Sequence, residues 1–260
     1  MENLIYFKSS LFQGLKHGFF GRQGGVSDGL VQSLNCYPYV REKAVQIDDA
    51  ANVQRNRQII LHTLNSPAVD IVTAHQVHGD KIIPVNQWMP MDFQEADGMI
   101  VTEPGIPIGI LTADCVPILY ANRQHTVIGA AHAGWKGGFM DIHLKMIGAM
   151  KAMGIQVKDI KVVIGPSIQQ ASYEVDQGFY DRFSAKDPGY KRYFYPSRKA
   201  SHYQFDLPRL IYEDLMQAGV YSVDWVRLDT VIHEHLFFSH RRATLSENLI
   251  TGRQLSVISL

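Results

Sequence analysis

Three short stretches carry side chains able to bind a borderline metal or to act as nucleophile and base. They are Ala74-His-Gln-Val-His-Gly79, Leu111-Thr-Ala-Asp-Cys-Val-Pro117 and Ile128-Gly-Ala-Ala-His-Ala-Gly-Trp-Lys-Gly-Gly138. Cys115 and His132 each adjoin apolar runs that read as buried strands. His75 and His78 compete for a third position, and Gly79, which permits a turn that aims its neighbour into a pocket, favours His78 on local grounds. Two neutral imidazoles and one thiolate would leave Zn2+ with one net positive charge and an open coordination position, as in catalytic zinc sites. Zinc fingers and ribbons use closely spaced ligand pairs; these three residues are far apart, so the fold itself must bring them together.

Other polar groups surround this set in sequence. Asp97 in Ala96-Asp-Gly98 and Asp114 beside Cys115 are carboxylates in apolar surroundings. Each could cap a turn, transfer a proton, or orient a histidine's second nitrogen; the sequence leaves all three open. Arg22 in Gly21-Arg-Gln-Gly-Gly-Val-Ser27 is either a bidentate clamp for phosphate or carboxylate or a solvated loop residue. Lys136, among Gly134, Gly137 and Gly138 and ahead of a helix, could help hold an anion, although the order is not that of a P-loop. Ser239-His-Arg-Arg242 and Thr251-Gly-Arg253 could line a pocket from the C-terminal side. His233-Glu-His235 reads as structural, and Cys36 as core packing. A metal-free alternative makes Cys115 a nucleophile, His132 its base and a carboxylate the orienting group.

The elements that must position these residues follow from pattern. A helix is predicted over residues 49–64 with an Asp cap, and another over 206–219 with Asp at its start, Pro in its first turn and Gly at its end. A third helix, 137–153, carries Ile142, Met146, Ile147 and Met150 at helical spacing; methionines so placed fill a core. Strands are predicted over 69–74, 81–85, 98–102, 106–111, 116–121, 126–131, 161–164, 223–227 and 253–260. Strands outnumber helices and do not alternate strictly with them, which argues for an α+β layered fold of mixed sheets flanked by helices. No repeat, low-complexity tract or Pro/Ser-rich linker interrupts the chain, so one domain over 1–260 is expected.

Composition excludes several function classes. The 25 basic and 25 acidic residues of the 260 balance, and no basic run exceeds Arg241-Arg242, so nucleic acid is not an expected partner. No apolar run approaches a membrane span. Two cysteines do not make a disulfide scaffold and suit a reducing compartment. The N-terminal residues are a poor signal peptide. A soluble, cytoplasmic protein is expected; oligomeric state is left open.

The motifs together resemble the YfiH-like laccase-domain family of polyphenol-oxidase-named proteins. The matching pieces are Arg22-Gln-Gly-Gly-Val-Ser27, Ser33-Leu-Asn35, Gln76-Val-His-Gly79, Ala96-Asp-Gly98, Thr112-Ala-Asp-Cys-Val-Pro117, Ala131-His-Ala-Gly-Trp-Lys-Gly137, Ile164-Gly-Pro166 and Ser239-His-Arg-Arg242, in family order over nearly the whole chain. The resemblance implies an α/β/β/α sandwich with one zinc on His78, Cys115 and His132. It also implies phosphorolysis of adenosine, inosine, guanosine and methylthioadenosine, with adenosine deamination. On this reading the partners are a purine nucleoside and phosphate, the substrate-binding candidates are Arg22, Gln76, Lys136 and Arg241, and the proton-transfer candidates are Asp114 and Asp97. Cys36 and Tyr37 depart from the small residues expected after Leu34-Asn35, which touches the rim of the pocket. Copper at the same site, giving polyphenol oxidation, is the alternative metal chemistry. A multi-copper cluster needs many paired histidines, and the 11 histidines include only one His-x-His.

Overall fold

The computed structural model of the chain describes residues 4–40, 45–246 and 250–260. A four-stranded sheet has the order β1 (Tyr6–Phe7), β2 (Lys16–Phe20), β15 (Gln254–Ser259), β7 (Ile108–Thr112). A six-stranded sheet has the order β14 (Ser222–Trp225), β10 (Ile160–Ile164), β8 (Val116–Asn122), β9 (Ile128–Ala133), β6 (Gly98–Val101), β5 (Ile82–Pro84). A small sheet of β11 (Glu174–Asp176), β13 (His202–Phe205) and β12 (Phe194–Pro196), and a pair of β3 (Tyr39–Val40) and β4 (Val45–Gln46), complete the strands. The helices are α1 (Ala50–Thr63), α2 (Trp135–Phe139), α3 (Ile142–Ala152), α4 (Gln177–Lys186), α5 (Leu207–Gln217) and α6 (His240–Leu245).

The two large sheets pack face to face, and helices cover their outer faces. Strand β8 shows why: Val116, Ile118 and Tyr120 enter one apolar cluster with Met146 and Met150 of α3 and Ile211 of α5, while Leu119 and Ala121 enter another with Phe19, Ile110 and Ile258. Alternate side chains of a strand point to opposite faces, so a strand apolar from Val116 to Ala121 must be covered on both. The outer face of the four-stranded sheet buries Phe20, Leu111 and Leu255 against Ile60 and Leu61 of α1. The layers are thus helix, sheet, sheet, helix, an α+β fold whose four-stranded sheet is antiparallel and whose six-stranded sheet is mixed.

The predicted helices at 49–64 and 206–219 form with Asp49 and Asp206 as side-chain caps. Three differences arise. The helix expected over 137–153 is two: α2 ends at Phe139, and Asp141, at φ 61°, starts α3 anew. A left-handed residue breaks a helix, and here the Asp141 carboxylate accepts hydrogen bonds from Lys186 at 2.6 and 2.7 Å. The strand expected over 69–74 is reduced to one bridge, Val72 to Ile108. The region from β11 to β13, with α4, carries no simple period; its aromatic side chains, Phe179, Phe183, Phe194 and Phe205, hold it by ring contacts. Among the described residues no helix is long and apolar enough to cross a membrane.

Candidate metal centre

The site forms where the chain passes from one sheet to the other. Strand β7 ends at Thr112 in the four-stranded sheet, and β8 begins at Val116 in the six-stranded one; Cys115 is the last residue of that crossing. In the β8–β9 pairing, Pro117 faces His132 and Val116 faces Ala133. In the β6–β9 pairing, Gly98 faces Ala131. Cys115, His132 and Asp97 therefore converge at one end of the sheet through register alone.

Asp97 organises the cluster. Its carboxylate accepts N–H groups of Val77 at 3.1 Å, His78 at 3.0 Å and Gly79 at 2.6 Å, and lies 2.7 Å from His132 Nδ1. It thus fixes the turn bearing His78, whose φ is 59°, and holds the proton of His132 on Nδ1, leaving Nε2 for the cavity side. His78 Nε2 is 3.8 Å from Cys115 Sγ, and one donor atom of each of His78, Cys115 and His132 lies within 4.8 Å of the others. With Zn–S of about 2.3 Å and Zn–N of about 2.1 Å, tetrahedral geometry separates S and N by about 3.6 Å. The set fits a divalent ion of that size. Gly134 makes the approach possible: a Cβ there would stand 2.7 Å from His78 Cδ2 and 3.1 Å from Cys115 Sγ.

The charge state suits a ligand set. Burial pushes the Cys115 thiol up, but the neighbouring His132 charge and hydrogen bonds from His132 and His78 outweigh it and hold the thiol at about 6. Burial pulls His132 down, while the Cys115 thiolate and the Asp97 carboxylate raise it to about 9. Burial also raises Asp97, yet the His132 hydrogen bond and charge and the loop N–H groups leave it below its ordinary value. Each group thus favours the charged form of the other, the thiolate on Cys115 and the imidazolium on His132. A metal bound by these donors would take the place of the imidazolium proton.

Two cavities meet at this centre. One, of about 440 Å³, is lined by Tyr37, Tyr39, His75, Gln76, Thr112 and Arg253. The other, of about 400 Å³, is lined by Trp135, Ile168, Tyr173, Leu207, Arg241 and Leu245. His78, Cys115 and His240 line both.

The remaining sequence candidates divide. Asp114, at φ 88°, accepts the Thr230 hydroxyl at 2.6 Å, the Ser239 hydroxyl at 2.9 Å and the Arg241 N–H at 2.6 Å. It ties the Cys115 crossing to the start of α6. The Gln76 side-chain amide is paired with the Leu111 backbone, donating at 2.8 Å and accepting at 2.9 Å, at the wall of the first cavity. Arg241 borders the second cavity. Arg22 lies elsewhere: it donates to the carbonyls of Gln32 and Glu234 and lines a separate hollow with Gln23 and His235. Lys136 stands 5.7 Å over the Trp135 ring and lines neither cavity. The lining residues Tyr39, Trp135, Tyr173 and His240 were not individually singled out by sequence reasoning. Two of them carried a signal, His240 through its place in Ser239-His-Arg-Arg242 and Trp135 through its place in Ala131-His-Ala-Gly-Trp-Lys-Gly137. Cys36 is buried and free, its thiol pushed up to about 12 by burial.

Comparison with known proteins places the chain among relatives. A family model described as "Multi-copper polyphenol oxidoreductase laccase" matches residues 16–260. A Rickettsia conorii protein named purine nucleoside phosphorylase is 36% identical over 80% of this chain and 84% of its own. One of the same name from Bacteroides thetaiotaomicron is 31% identical over 99% of this chain and 96% of its own. Among solved structures, a Neisseria meningitidis protein superposes with a TM-score of 0.83 at 28% identity, over 99% of both chains. The YfiH protein of Bacillus licheniformis superposes at 0.82 with 28% identity, over 96% of this chain and 94% of its own.

Proposed function

From the premise that the chain belongs to the multi-copper polyphenol oxidoreductase laccase family, with relatives named purine nucleoside phosphorylase, we propose a metal-dependent purine nucleoside phosphorylase. Its substrates on this reading are adenosine, inosine, guanosine and methylthioadenosine, with adenosine deamination as a second activity. The observation that carries it is the His78, Cys115, His132 donor set, braced by Asp97 and open to two cavities large enough for a nucleoside.

His78, Cys115 and His132 would hold the ion. Zinc suits two imidazoles and one thiolate, and copper is the alternative for the same donors. When bound, the ion supplies a positive charge and Lewis acidity beside the substrate. In phosphorolysis a phosphate oxygen bonds to the ribose C1′, the C1′–N9 bond breaks, and its electron pair leaves with the purine. A proton at purine N7 eases that departure. His240 lines both cavities, and we assign it this proton-donating role. Asp97 and Asp114 take orienting roles, because each already accepts from three or more donors: Asp97 sets the His132 tautomer and Asp114 the Cys115 crossing. Trp135 and Tyr173 offer flat faces against which a purine stacks.

The test is chromatography of products from adenosine, with and without phosphate, alongside metal analysis of protein purified without chelator. Phosphate-dependent adenine supports phosphorolysis, and inosine formed without phosphate supports deamination. Stoichiometric metal without turnover of any of the four nucleosides sinks the reading. Phenol oxidation after copper loading tests the oxidase alternative. A metal-free cysteine hydrolase is favoured by one observation, the His132 ring held at 2.7 Å by Asp97 with Cys115 among the donors within 4.8 Å of it; protein isolated with stoichiometric metal counts against it.

A further inference from the structure

A third cavity, of about 720 Å³, shares Trp135, Tyr173, Arg241 and Leu245 with the second cavity beside the metal centre. The two form one continuous groove leading outward from the site. Arg182 of α4, His202 of β13 and Lys199, just before β13, join Arg241 around it, over a floor that includes Trp135, Tyr173 and Phe179. The Arg182 guanidinium lies 5.1 Å over the Trp135 ring, and that of Arg241 5.5 Å over Tyr173. Arg241 Nη2 donates to the Glu174 carbonyl at 2.9 Å. Among the described residues, its Nε and Nη1, every side-chain donor of Arg182 and the Lys199 ammonium have no hydrogen-bond or ion-pair partner.

The acids in the same wall are engaged with neutral donors. Glu174 accepts the Ser197 hydroxyl, and Asp176 accepts the Phe179 N–H at 2.8 Å as the cap of α4. Isolated surface cations need no ligand to explain them. Here Arg182, Lys199 and Arg241 line one groove beside a catalytic candidate against two acids, Glu174 and Asp176, that are ion-paired with none of them, which leaves the groove a net positive charge that favours an anion. An uncharged nucleoside makes no use of that field. Arginine's planar fork matches the oxygens of a phosphate, and lysine serves as a point charge.

We propose that this groove binds a phosphate group, with Arg241 at the inner end and Arg182 and Lys199 farther out. The proposal rests on the phosphorylase reading for its chemistry and has two sources: inorganic phosphate poised to attack C1′, or the 5′-phosphate of a nucleotide substrate. Asp114 is then a positioning residue, since it holds the Arg241 backbone N–H and precedes Cys115.

The experiment uses the full-length, metal-loaded protein and Arg241→Met, Arg182→Met and Lys199→Met, which keep much of the stem and lose the charge. Lys151→Met, at an exposed lysine of α3 that does not line the groove, controls for a lost charge. Titration calorimetry reads Kd for inorganic phosphate and for AMP; kinetics read KM for phosphate with inosine, and kcat/KM of AMP relative to adenosine. Arg241→Met should weaken phosphate-group binding by about tenfold or more, and the other two groove variants by about threefold. A loss confined to inorganic phosphate identifies the co-substrate; one confined to AMP identifies a nucleotide. Equal binding of both ligands by all proteins overturns the proposal. A wild type that binds phosphate through these residues but cleaves no nucleoside keeps the groove and overturns the phosphorylase reading.

Discussion

Asp97 lies 2.7 Å from a ring nitrogen of His132 at the end of the central sheet, and Asp214 lies 3.0 Å from a ring nitrogen of His143 on its helical face. Each pair sits in a cluster of three potential metal donors: His78, Cys115 and His132 in one, Asp141, His143 and Asp214 in the other. In the first cluster, Asp97 spends its other lone pairs on the His78 turn, and the donors open onto two cavities. In the second, Lys186 is already seated on Asp141, Tyr190 donates to Asp214 at 3.4 Å, and His143 is fully buried. There Lys186 of α4 pairs with Asp141, Tyr190 of the segment after it hydrogen-bonds Asp214, and the His143–Asp214 contact braces α3 against α5. Donor proximity is common to both. Access from a cavity separates a candidate site from a buried structural network.

Cys115→Ala should produce the largest effect, lowering metal affinity on the order of a thousandfold by removing the only anionic donor of the set. Metal analysis after dialysis checks it, and full metal retention would erase the distinction between the clusters. In metal-free protein, alkylation of Cys115 should be half-maximal near pH 6, in place of the ordinary thiol value of 9.0. The sign follows from the thiolate being the reactive form: the rate climbs as pH rises through 6 and is flat beyond about 7. A profile still climbing at pH 8–9 would mean that His132 does not stabilise the thiolate.

His143→Leu should cost about 2–3 kcal/mol of folding stability by stranding the buried Asp214 carboxylate, while metal content stays at the wild-type level. Denaturant unfolding beside metal analysis reads both; loss of metal would make the second cluster a binding site after all. Asp97→Asn should weaken metal binding by about 10- to 100-fold, the usual consequence of disturbing the partner of a ligating histidine. Competition with a metal-sensitive chelator measures it. An effect confined to stability would reduce Asp97 to a turn cap.

The legible parts of the molecule were those written locally. Asp49 and Asp206 announce α1 and α5 because a cap acts on N–H groups two or three residues away. Val116 to Ala121 announces a strand covered on both faces, and Met146 and Met150 an inward helix face. The break at Asp141 was not legible, since its left-handed conformation is held by Lys186, 45 residues onward. The partners of Arg22 were likewise not legible: its glycine-rich loop is consistent with an anion site, and the carbonyls that its side chain meets belong to Gln32 and, across the fold, Glu234.

The sequence by itself determined the identities of the chemical groups, the α+β class and the apolar faces that make the layers. Donor chemistry belongs to a side chain, and periodicity to a short segment. The tertiary structure decided which of those groups meet. The pairing of Pro117 with His132 and of Gly98 with Ala131 assembles the centre, and donors 116 to 127 residues away hold the Asp114 carboxylate. Those bonds depend on sheet register and on the packing of α6, which no local pattern encodes.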